Sequence, residues 1–148
     1  MREALKEALR AMRGGEVPIG AVVVAGGEVV GRGSNRPIAS RDPTAHAEVI
    51  ALRRAARRQG NYRLPGAELY VTLEPCLMCV GAMVHARIGR VVFAALDPKV
   101  GCLSGPRGLD RHHGLNHRFA VQGGVLGAQS AELLKRFFAE KRMARTPG

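Results

Sequence analysis

The stretch that decides the fold is 72–84, TLEPCLMCVGAMV, because it leads from a buried strand into a helix that carries two cysteines. The apolar run 69–73 predicts the strand, and Pro75 suits the first turn of a helix, where its missing N–H costs no hydrogen bond. Cys76 and Cys79 stand three residues apart, so they share one face of that helix. Near a helix N-terminus the dipole favours thiolate over thiol. The stretch therefore predicts a strand, a turn and a helix that presents two metal-binding thiolates.

A second motif, His46-Ala47-Glu48, completes a set of metal ligands. Zinc binds thiolates and neutral imidazole tetrahedrally, and a site with three protein ligands keeps its fourth position open for water. We therefore predict one Zn²⁺ per chain, held by His46, Cys76 and Cys79, with Glu48 close enough to act on the water without coordinating the metal. Two simpler interpretations stay open. The three ligands could form a structural metal site or a helix-packing thiol pair beside an incidental histidine, and Glu48 could merely stabilise a helix N-terminus.

The length and the cysteine content favour a single domain whose cysteines stay reduced. A chain of 148 residues can bury a substantial core without disulfides, so we expect a single domain over 1–148, with 144–148 as a frayed tail. Three cysteines cannot all pair within the chain, and the CxxC spacing favours a metal, which points to a reducing compartment. No apolar run reaches the length of a signal or membrane segment. We expect a soluble, cytoplasmic protein without a membrane partner.

The charge balance predicts a polyanionic partner. Lys and Arg number 23 against 12 Asp and Glu, which gives a formal net charge of +11 at pH 7, and such groups neutralise phosphate backbones. The basic residues form two clusters: Arg53, Arg54, Arg57, Arg58 and Arg63, then Lys135, Arg136, Lys141, Arg142 and Arg145. Only 4% of the residues are aromatic, which argues against a broad base-stacking platform and favours a folded or looped RNA. The alternative is a solvated arginine-rich surface that reflects codon bias.

The remaining apolar patterns alternate between helices and strands. They predict a core-packed amphipathic helix over 2–13, with Leu5, Ala8, Leu9 and Met12 at helical spacing, a hairpin of strands 18–24 and 28–33, and a loop over 37–43. Thr44 is the expected N-cap of a helix over 45–58. Further strands are expected at 91–95 and 119–121, and a basic amphipathic helix over 131–143. This order predicts an α/β fold: a three-layer α-β-α sandwich with a mixed sheet of about five strands, in which the hairpin supplies the antiparallel part.

Five segments resemble one known family. They are 16–22 (EVPIGAV), 35–37 (NRP), 42–48 (DPTAHAE), 72–76 (TLEPC) and 97–99 (DPK). The HxE and PCxxC motifs together are those of zinc nucleobase deaminases. With the other segments, residues 1–142 resemble the bacterial tRNA-specific adenosine deaminases of the cytidine-deaminase-like superfamily. Residues 104–113 depart from the family pattern, so the packing and any RNA contact of 103–116 do not follow from the resemblance.

The resemblance implies hydrolytic deamination of adenosine to inosine at the wobble position of a tRNA anticodon. Hydroxide on the zinc attacks adenine C6, while Glu48 moves a proton from the water to the base and another to the leaving amine. Asn35 and Asp97 match family residues that bind the substrate, although both are also ordinary turn residues. The family further implies the anticodon stem-loop of an arginine tRNA as partner, and a homodimer with the site near its interface.

Two other functions fit the same residues. A deaminase of small molecules such as cytosine, guanine or cytidine would share the zinc chemistry but has no need of a charge of +11. A non-catalytic, zinc-stabilised RNA-binding module would leave Glu48 without a task. Replacement of Glu48 distinguishes the enzymes from the module, and the choice of substrate distinguishes the two enzymes.

Overall fold

The computed structural model describes residues 1–109 and 112–146, in which five helices and five strands follow one another. The strands are β1 (Gly20–Ala25), β2 (Glu28–Ser34), β3 (Glu68–Leu73), β4 (Arg90–Ala95) and β5 (Ala120–Gln122). The helices are α1 (Arg2–Arg13), α2 (Pro37–Ser40), α3 (Ala47–Gln59), α4 (Leu77–Ala86) and α5 (Gly127–Arg145). A 3-10 turn, Gly105–Arg107, lies between β4 and β5.

The strands form one mixed sheet in the order β2-β1-β3-β4-β5. β1 and β2 form the expected antiparallel hairpin, whose turn uses Gly26 and Gly27 because both positions have positive φ (59° and 78°). β1 also runs antiparallel to β3, with Ala21 opposite Val71. β3, β4 and β5 are parallel, so the C-terminal ends of β3 and β4 meet at one edge of the sheet. The predicted mixed sheet, with its antiparallel part supplied by the hairpin, is confirmed.

Helices cover both faces of the sheet. α3 and α4 pack on one face, where Val23, Val71 and Val91 belong to the larger hydrophobic cluster. α1 and α5 pack on the other face, where Gly20 lies against α1. Alternate residues of a strand point to opposite faces, so each strand contributes to both cores. These layers confirm the predicted α-β-α sandwich.

Glycines in β2 let α3 approach the sheet to backbone contact. A Cβ on Gly33 would lie 2.1 Å from the carbonyl oxygen of Ala47, and a Cβ on Gly31 would lie 2.3 Å from that of Ala51. α3 therefore sits closer to β2 than any side chain at these strand positions would allow. This contact fixes the start of α3 against the strand.

A similar contact changes which residues of α1 are buried. The sequence pattern predicts Leu5, Ala8, Leu9 and Met12 on the core side. Ala8 is fully buried, as is Ala4, but Leu9 is 38% exposed, and Leu5 and Met12 are only partly buried. A Cβ on Gly20 would lie 2.1 Å from the carbonyl oxygen of Ala4, so only small side chains fit between α1 and the sheet. The prediction is therefore confirmed for Ala8 and wrong for Leu9, which lines a groove between α1 and α5 together with Leu5.

Two boundaries near the start of α3 differ from the predicted ones. The predicted loop 37–43 contains the short helix α2. α3 begins at Ala47 with His46 as its N-cap, so the prediction of Thr44 as N-cap is wrong. Thr44 donates its amide and its hydroxyl to Asp42 Oδ1 (2.8 and 2.7 Å) and therefore belongs to a turn that delays the helix.

The C-terminal helix is longer than predicted. α5 begins at Gly127, earlier than the expected start at 131, and extends to Arg145. Residues 144 and 145 are thus helical and not part of a frayed tail, while 147 and 148 lie outside the described residues. Within the unusual segment 103–116, Asp110 and Arg111 also lie outside them. No helix of the described ranges is long and apolar enough to cross a membrane.

Candidate active site

The three predicted metal ligands come together at the N-terminal ends of two helices. His46 is the N-cap of α3 and Cys76 is the N-cap of α4, both with extended backbone. Cys79 lies in the first turn of α4 and is fully buried. The unpaired N–H groups and the positive dipole ends of both helices lie beside these residues. The site therefore has a positive potential, which favours thiolates and other anions.

The spacing of the ligand atoms fits a zinc ion. His46 Nδ1 lies 3.6 Å from Cys76 Sγ and 3.6 Å from Cys79 Sγ, and the three ligand atoms all lie within 4.8 Å of one another. Tetrahedral zinc with Zn–N of about 2.0–2.1 Å and Zn–S of about 2.3 Å requires an N–S distance of about 3.6 Å. One imidazole and two thiolates are also ligand types that zinc prefers. We propose His46, Cys76 and Cys79 as the ligands of one Zn²⁺.

Hydrogen bonds within the ligand set favour the thiolate form of Cys76. The hydrogen bond from Cys79, together with that from His46, lowers the pKa of Cys76 to about 4, although burial acts in the opposite direction. The same contact with Cys76 raises the pKa of His46. The hydrogen bond to Cys76 and burial both raise the pKa of Cys79. The ligand set therefore favours the thiolate of Cys76, the form in which cysteine binds zinc.

Glu48 is buried beside the ligands. It stands in the first turn of α3, two residues after His46, and is 4% exposed. Burial raises the pKa of Glu48, while its own backbone amide and the charge on His46 act in the opposite direction. A carboxyl group with a raised pKa gains and loses a proton closer to neutral pH than an ordinary glutamate. This property suits a proton shuttle better than a carboxylate that only stabilises a helix end.

Asn35 directly follows β2, the strand whose end lies beside the start of α3. The Arg36 amide donates to the carbonyl oxygen of Ala45 (3.0 Å), which holds the end of β2 beside the start of α3. Asn35 is 6% exposed, and its side-chain amide makes no hydrogen bond to a described residue. Because a buried amide without a partner costs free energy, a ligand explains this side chain better than a turn does. We propose Asn35 as a substrate-binding residue.

Asp97 lies two residues after β4, at the edge where the ends of β3 and β4 meet. Its Oδ1 accepts hydrogen bonds from the amides of Lys99 (3.0 Å) and Val100 (3.2 Å), which is ordinary turn chemistry. Its Oδ2 makes no hydrogen bond to a described residue. The turn therefore accounts for one carboxylate oxygen, and we propose that the other accepts a hydrogen bond from the substrate.

Comparisons with known proteins identify the family. Residues 1–95 match the profile of the cytidine and deoxycytidylate deaminase zinc-binding region. Over 142 residues the chain is 46% identical to the tRNA-specific adenosine deaminase of Bacillus subtilis, which covers 96% of this chain and 88% of that protein. The chain belongs to the tRNA-specific adenosine deaminases. A relative of the same name from Aquifex aeolicus is 44% identical over 96% of this chain and 93% of its own length.

Solved structures share the fold of this deaminase. One, from a study of A-to-I editing by tRNA:A34 deaminases at the wobble position of transfer RNA, gives a TM-score of 0.85 at 47% identity and covers 90% of this chain and 97% of that chain. A guanine deaminase from Nitrosomonas europaea gives a TM-score of 0.78 at 28% identity and covers 92% and 81% of the two chains. The predicted cytidine-deaminase-like fold and the predicted zinc cofactor are therefore confirmed.

Glu74 is a residue of this deaminase whose contacts the sequence does not predict. From the sequence it only marks the entry to Pro75 and Cys76. In the structure it is 3% exposed, and its carboxylate accepts hydrogen bonds from the loop that begins at Asp97. The available signal was a charged residue placed between a buried strand and a metal-binding turn.

The arginines of the basic cluster on α3 of the deaminase make different contacts. Arg54 donates to the carbonyl oxygen of Arg32 (2.9 Å), and Arg58 donates to that of Val29 (3.1 Å). Both acceptors belong to β2, the edge strand, so these arginines cover carbonyl groups that another strand would otherwise pair with. Arg57 lines a separate pocket of about 240 Å³. Contact between this cluster and RNA stays a prediction.

Proposed function

We propose that this chain converts adenosine to inosine at the wobble position of a tRNA anticodon, with Zn²⁺ as its cofactor. The observation that carries the chemistry is the triangle of His46, Cys76 and Cys79 with two N–S distances of 3.6 Å, beside a buried Glu48. The choice of substrate is supported by 46% identity over 96% of the chain to a protein named for that substrate.

The reaction adds one water to adenine C6 and releases ammonia. When bound, zinc supplies a water acidic enough to act as the nucleophile near neutral pH. Glu48 accepts a proton from that water and donates it to the ring nitrogen N1, which prepares C6 for attack. Glu48 then carries the second proton to the amine, the C6–N bond breaks, and inosine and ammonia form. Burial of Glu48 supports both transfers, because its raised pKa brings the two protonation states closer in free energy.

Two side chains orient the nucleotide in this scheme. The Asn35 amide has both a donor and an acceptor, so it can bind the base or the ribose. The Asp97 carboxylate has one oxygen outside its turn, which accepts a hydrogen bond from a ribose hydroxyl. A free base lacks the ribose, so these contacts favour a nucleotide held within a chain over a free nucleobase.

The net charge of +11 supports an RNA substrate. Phosphate contacts release counterions, so binding of the tRNA weakens steeply as salt rises. α5 carries the second basic cluster and is exposed at Lys135, Arg136, Lys141, Arg142 and Arg145. We expect the apparent KM for tRNA, rather than the rate of the bound complex, to rise with salt.

We further propose an arginine tRNA as the substrate, a cytoplasmic location, and a homodimer with its interface near the site. Support for the dimer comes from exposed apolar side chains around the ligands. Leu77 and Met78, which follow the proposed ligand Cys76, are 65% and 36% exposed. Adjacent exposed apolar side chains are typical of a protein interface. Sedimentation at micromolar concentration should show a dimer, and a monomer alone would contradict this part of the proposal.

The experiment measures inosine at the first anticodon position of an arginine tRNA that carries adenosine there. Zinc-loaded protein is incubated in parallel with free adenosine, cytidine and guanine. We expect inosine in the tRNA and no ammonia from the free compounds. Turnover of guanine would instead favour the small-molecule alternative, to which the similarity with the Nitrosomonas europaea guanine deaminase points.

A matched pair of variants tests the role of Glu48. Glu48→Gln keeps the shape but cannot move protons, so turnover should fall by about 10²–10⁴-fold with zinc retained. Glu28→Gln changes a glutamate that is 77% exposed on the hairpin and should leave turnover unchanged. Unchanged turnover of Glu48→Gln would refute the mechanism, and loss of its zinc would indicate a structural role.

A further inference from the structure

A buried carboxylate holds the loop that carries Asp97. Glu74, the residue after β3, is 3% exposed. Its Oε1 accepts a hydrogen bond from the Asp97 amide (3.1 Å). Its Oε2 accepts bonds from the Leu103 amide (3.0 Å), the Ser104 amide (3.1 Å) and the Ser104 hydroxyl (2.8 Å). All four donors belong to one segment, 97–104, which we call the Asp97 loop.

The carboxylate and the Asp97 loop depend on each other. A buried carboxylate is costly unless hydrogen-bond donors or a cation meet its charge. Glu74 has no ion-pair partner within the described part of the chain, so donors of the loop meet the charge instead. Charge-assisted hydrogen bonds of this kind are about twice as strong as neutral ones. The loop is therefore held more firmly than backbone contacts alone would hold it.

The loop is shaped to fit around this carboxylate. A Cβ on Gly101 would lie 2.4 Å from Glu74 Cδ and 2.6 Å from the carbonyl oxygen of Asp97. The Gly101 amide donates to that same carbonyl oxygen (3.0 Å). Asp97 Oδ1 is engaged by the amides of Lys99 and Val100. These contacts fix the backbone of Asp97 and one of its two carboxylate oxygens.

Glu74 also connects the loop to the metal ligands. Its own amide donates to the carbonyl oxygen of Ala95 at the end of β4 (2.8 Å). The Cys102 amide donates to the carbonyl oxygen of Pro75 (3.0 Å), and Cys76 is the next residue. The position of the loop is thus set relative to a metal ligand.

We propose that Glu74 is a positioning residue, which holds Asp97 at a fixed place relative to the metal ligands so that its carboxylate meets a hydroxyl of the substrate ribose. This role rests on the substrate contact proposed above for Asp97. Glu74 itself touches neither the substrate nor the metal.

A double-mutant cycle separates positioning from general support of the fold. In Glu74→Gln the side-chain amide group meets backbone N–H donors, so the loop must shift, and kcat/KM for the tRNA should fall by up to about 10-fold, the full cost of losing the Asp97 contact. Asp97→Ala alone should cost about 10-fold through the lost hydrogen bond. In the Asp97→Ala background, Glu74→Gln should cost less than about twofold more, because the group that it positions is gone. Each variant should keep its zinc.

Three matched variants serve as controls. Glu7→Gln alters another buried glutamate, 2% exposed, which accepts the Ser34 hydroxyl between α1 and β2. The fold-change in kcat/KM caused by Glu7→Gln should multiply with that caused by Asp97→Ala, as expected for unconnected sites. Gly101→Ala displaces the loop while leaving both carboxylates intact, and it should show the same coupling as Glu74→Gln. Ser104→Ala removes one of the four hydrogen bonds to Glu74. It should lower kcat/KM less than Glu74→Gln does, and this loss should likewise shrink in the Asp97→Ala background. This variant keeps the test valid if Glu74→Gln does not fold.

The outcomes distinguish this role from the function itself. Multiplicative effects of Glu74→Gln and Asp97→Ala would overturn the positioning role. Loss of zinc from Glu74→Gln would also overturn it, since the carboxylate would then support the metal site. Unchanged kcat/KM of Asp97→Ala would refute the substrate contact of Asp97, and the positioning role with it, while the zinc chemistry tested with Glu48→Gln would stand.

Discussion

The contact between Gly33 and α3 predicts how strictly the ligands are positioned. In Gly33→Ala the new Cβ would lie 2.1 Å from the carbonyl oxygen of Ala47 and 2.7 Å from the amide nitrogen of Ala51. Ordinary van der Waals contact begins at 3.4 Å, so α3 must move from β2 by about 1.3 Å at this point. His46 and Glu48 flank Ala47, so the displacement falls on a proposed metal ligand and on the proposed proton shuttle.

The expected magnitudes follow from this displacement. A misplacement of about 1 Å costs about a hundredfold in rate, so kcat of Gly33→Ala should fall by about that factor. Overpacking costs about 1–3 kcal/mol, which lowers Tm by roughly 3–10 °C in a chain of this size. Single-turnover formation of inosine measures the rate. Zinc analysis and thermal unfolding show whether the variant is folded and loaded.

Two glycine variants calibrate the result. Gly31→Ala creates a similar clash, 2.3 Å from the carbonyl oxygen of Ala51, but one helical turn further from the ligands. It should lower Tm as much while slowing the reaction less. Gly14→Ala places its Cβ no closer than 3.4 Å to other atoms and should change neither quantity. The reasoning is refuted if Gly33→Ala shows the expected decrease in Tm but keeps kcat within about twofold of the wild type.

Metal removal, acid and surface charge each have an expected effect. Chelation should abolish turnover and lower Tm, because the ligands connect α3 to α4; an unchanged Tm would contradict this. Hydrogen bonds from Lys6 and then Arg32 lower the pKa of Glu3 from its ordinary 4.5 to about 2, so its stabilising effect is complete above pH 4.5 and disappears as the pH falls to 2. The gap in urea midpoint between wild type and Glu3→Gln should close over that range, and high salt should shrink it at every pH. Joint replacement of Arg54 and Arg58 by Ala should uncover the edge strand and raise light scattering.

Local patterns in the sequence were sufficient for most elements and for the ligand set. Gly26 and Gly27 predicted the hairpin turn because few other residues adopt positive φ there. The cysteine spacing and the HxE motif predicted which side chains meet, since zinc chemistry admits few ligand types. The structure brings His46, Cys76 and Cys79 together as expected. Their function as zinc ligands, and that of Glu48, stay predictions until the variants are measured.

The errors arose where a specific contact, and not a periodic pattern, decided the outcome. Leu9 has helical core spacing, but the close approach of Gly20 to α1 buries Ala4 and Ala8 instead. Thr44 has a side chain suited to an N-cap, but its amide and hydroxyl donate hydrogen bonds to Asp42 instead. The hydrogen bonds of Glu74 depend on a loop more than 20 residues away, and no periodicity reports such a partner. Each of these features required the folded chain.

The separation of the ligands along the chain determines when the metal can bind. His46 and Cys76 are 30 residues apart, with all of α3 and β3 between them. β3 pairs with β1 and β4, so a local segment cannot assemble the three ligands as a zinc finger does. On the ribosome, zinc uptake by the proposed ligands would therefore require that the hairpin, α3 and β3 have joined and that α4 has emerged. A newly made chain that has acquired its metal has therefore already completed the central part of its tertiary structure.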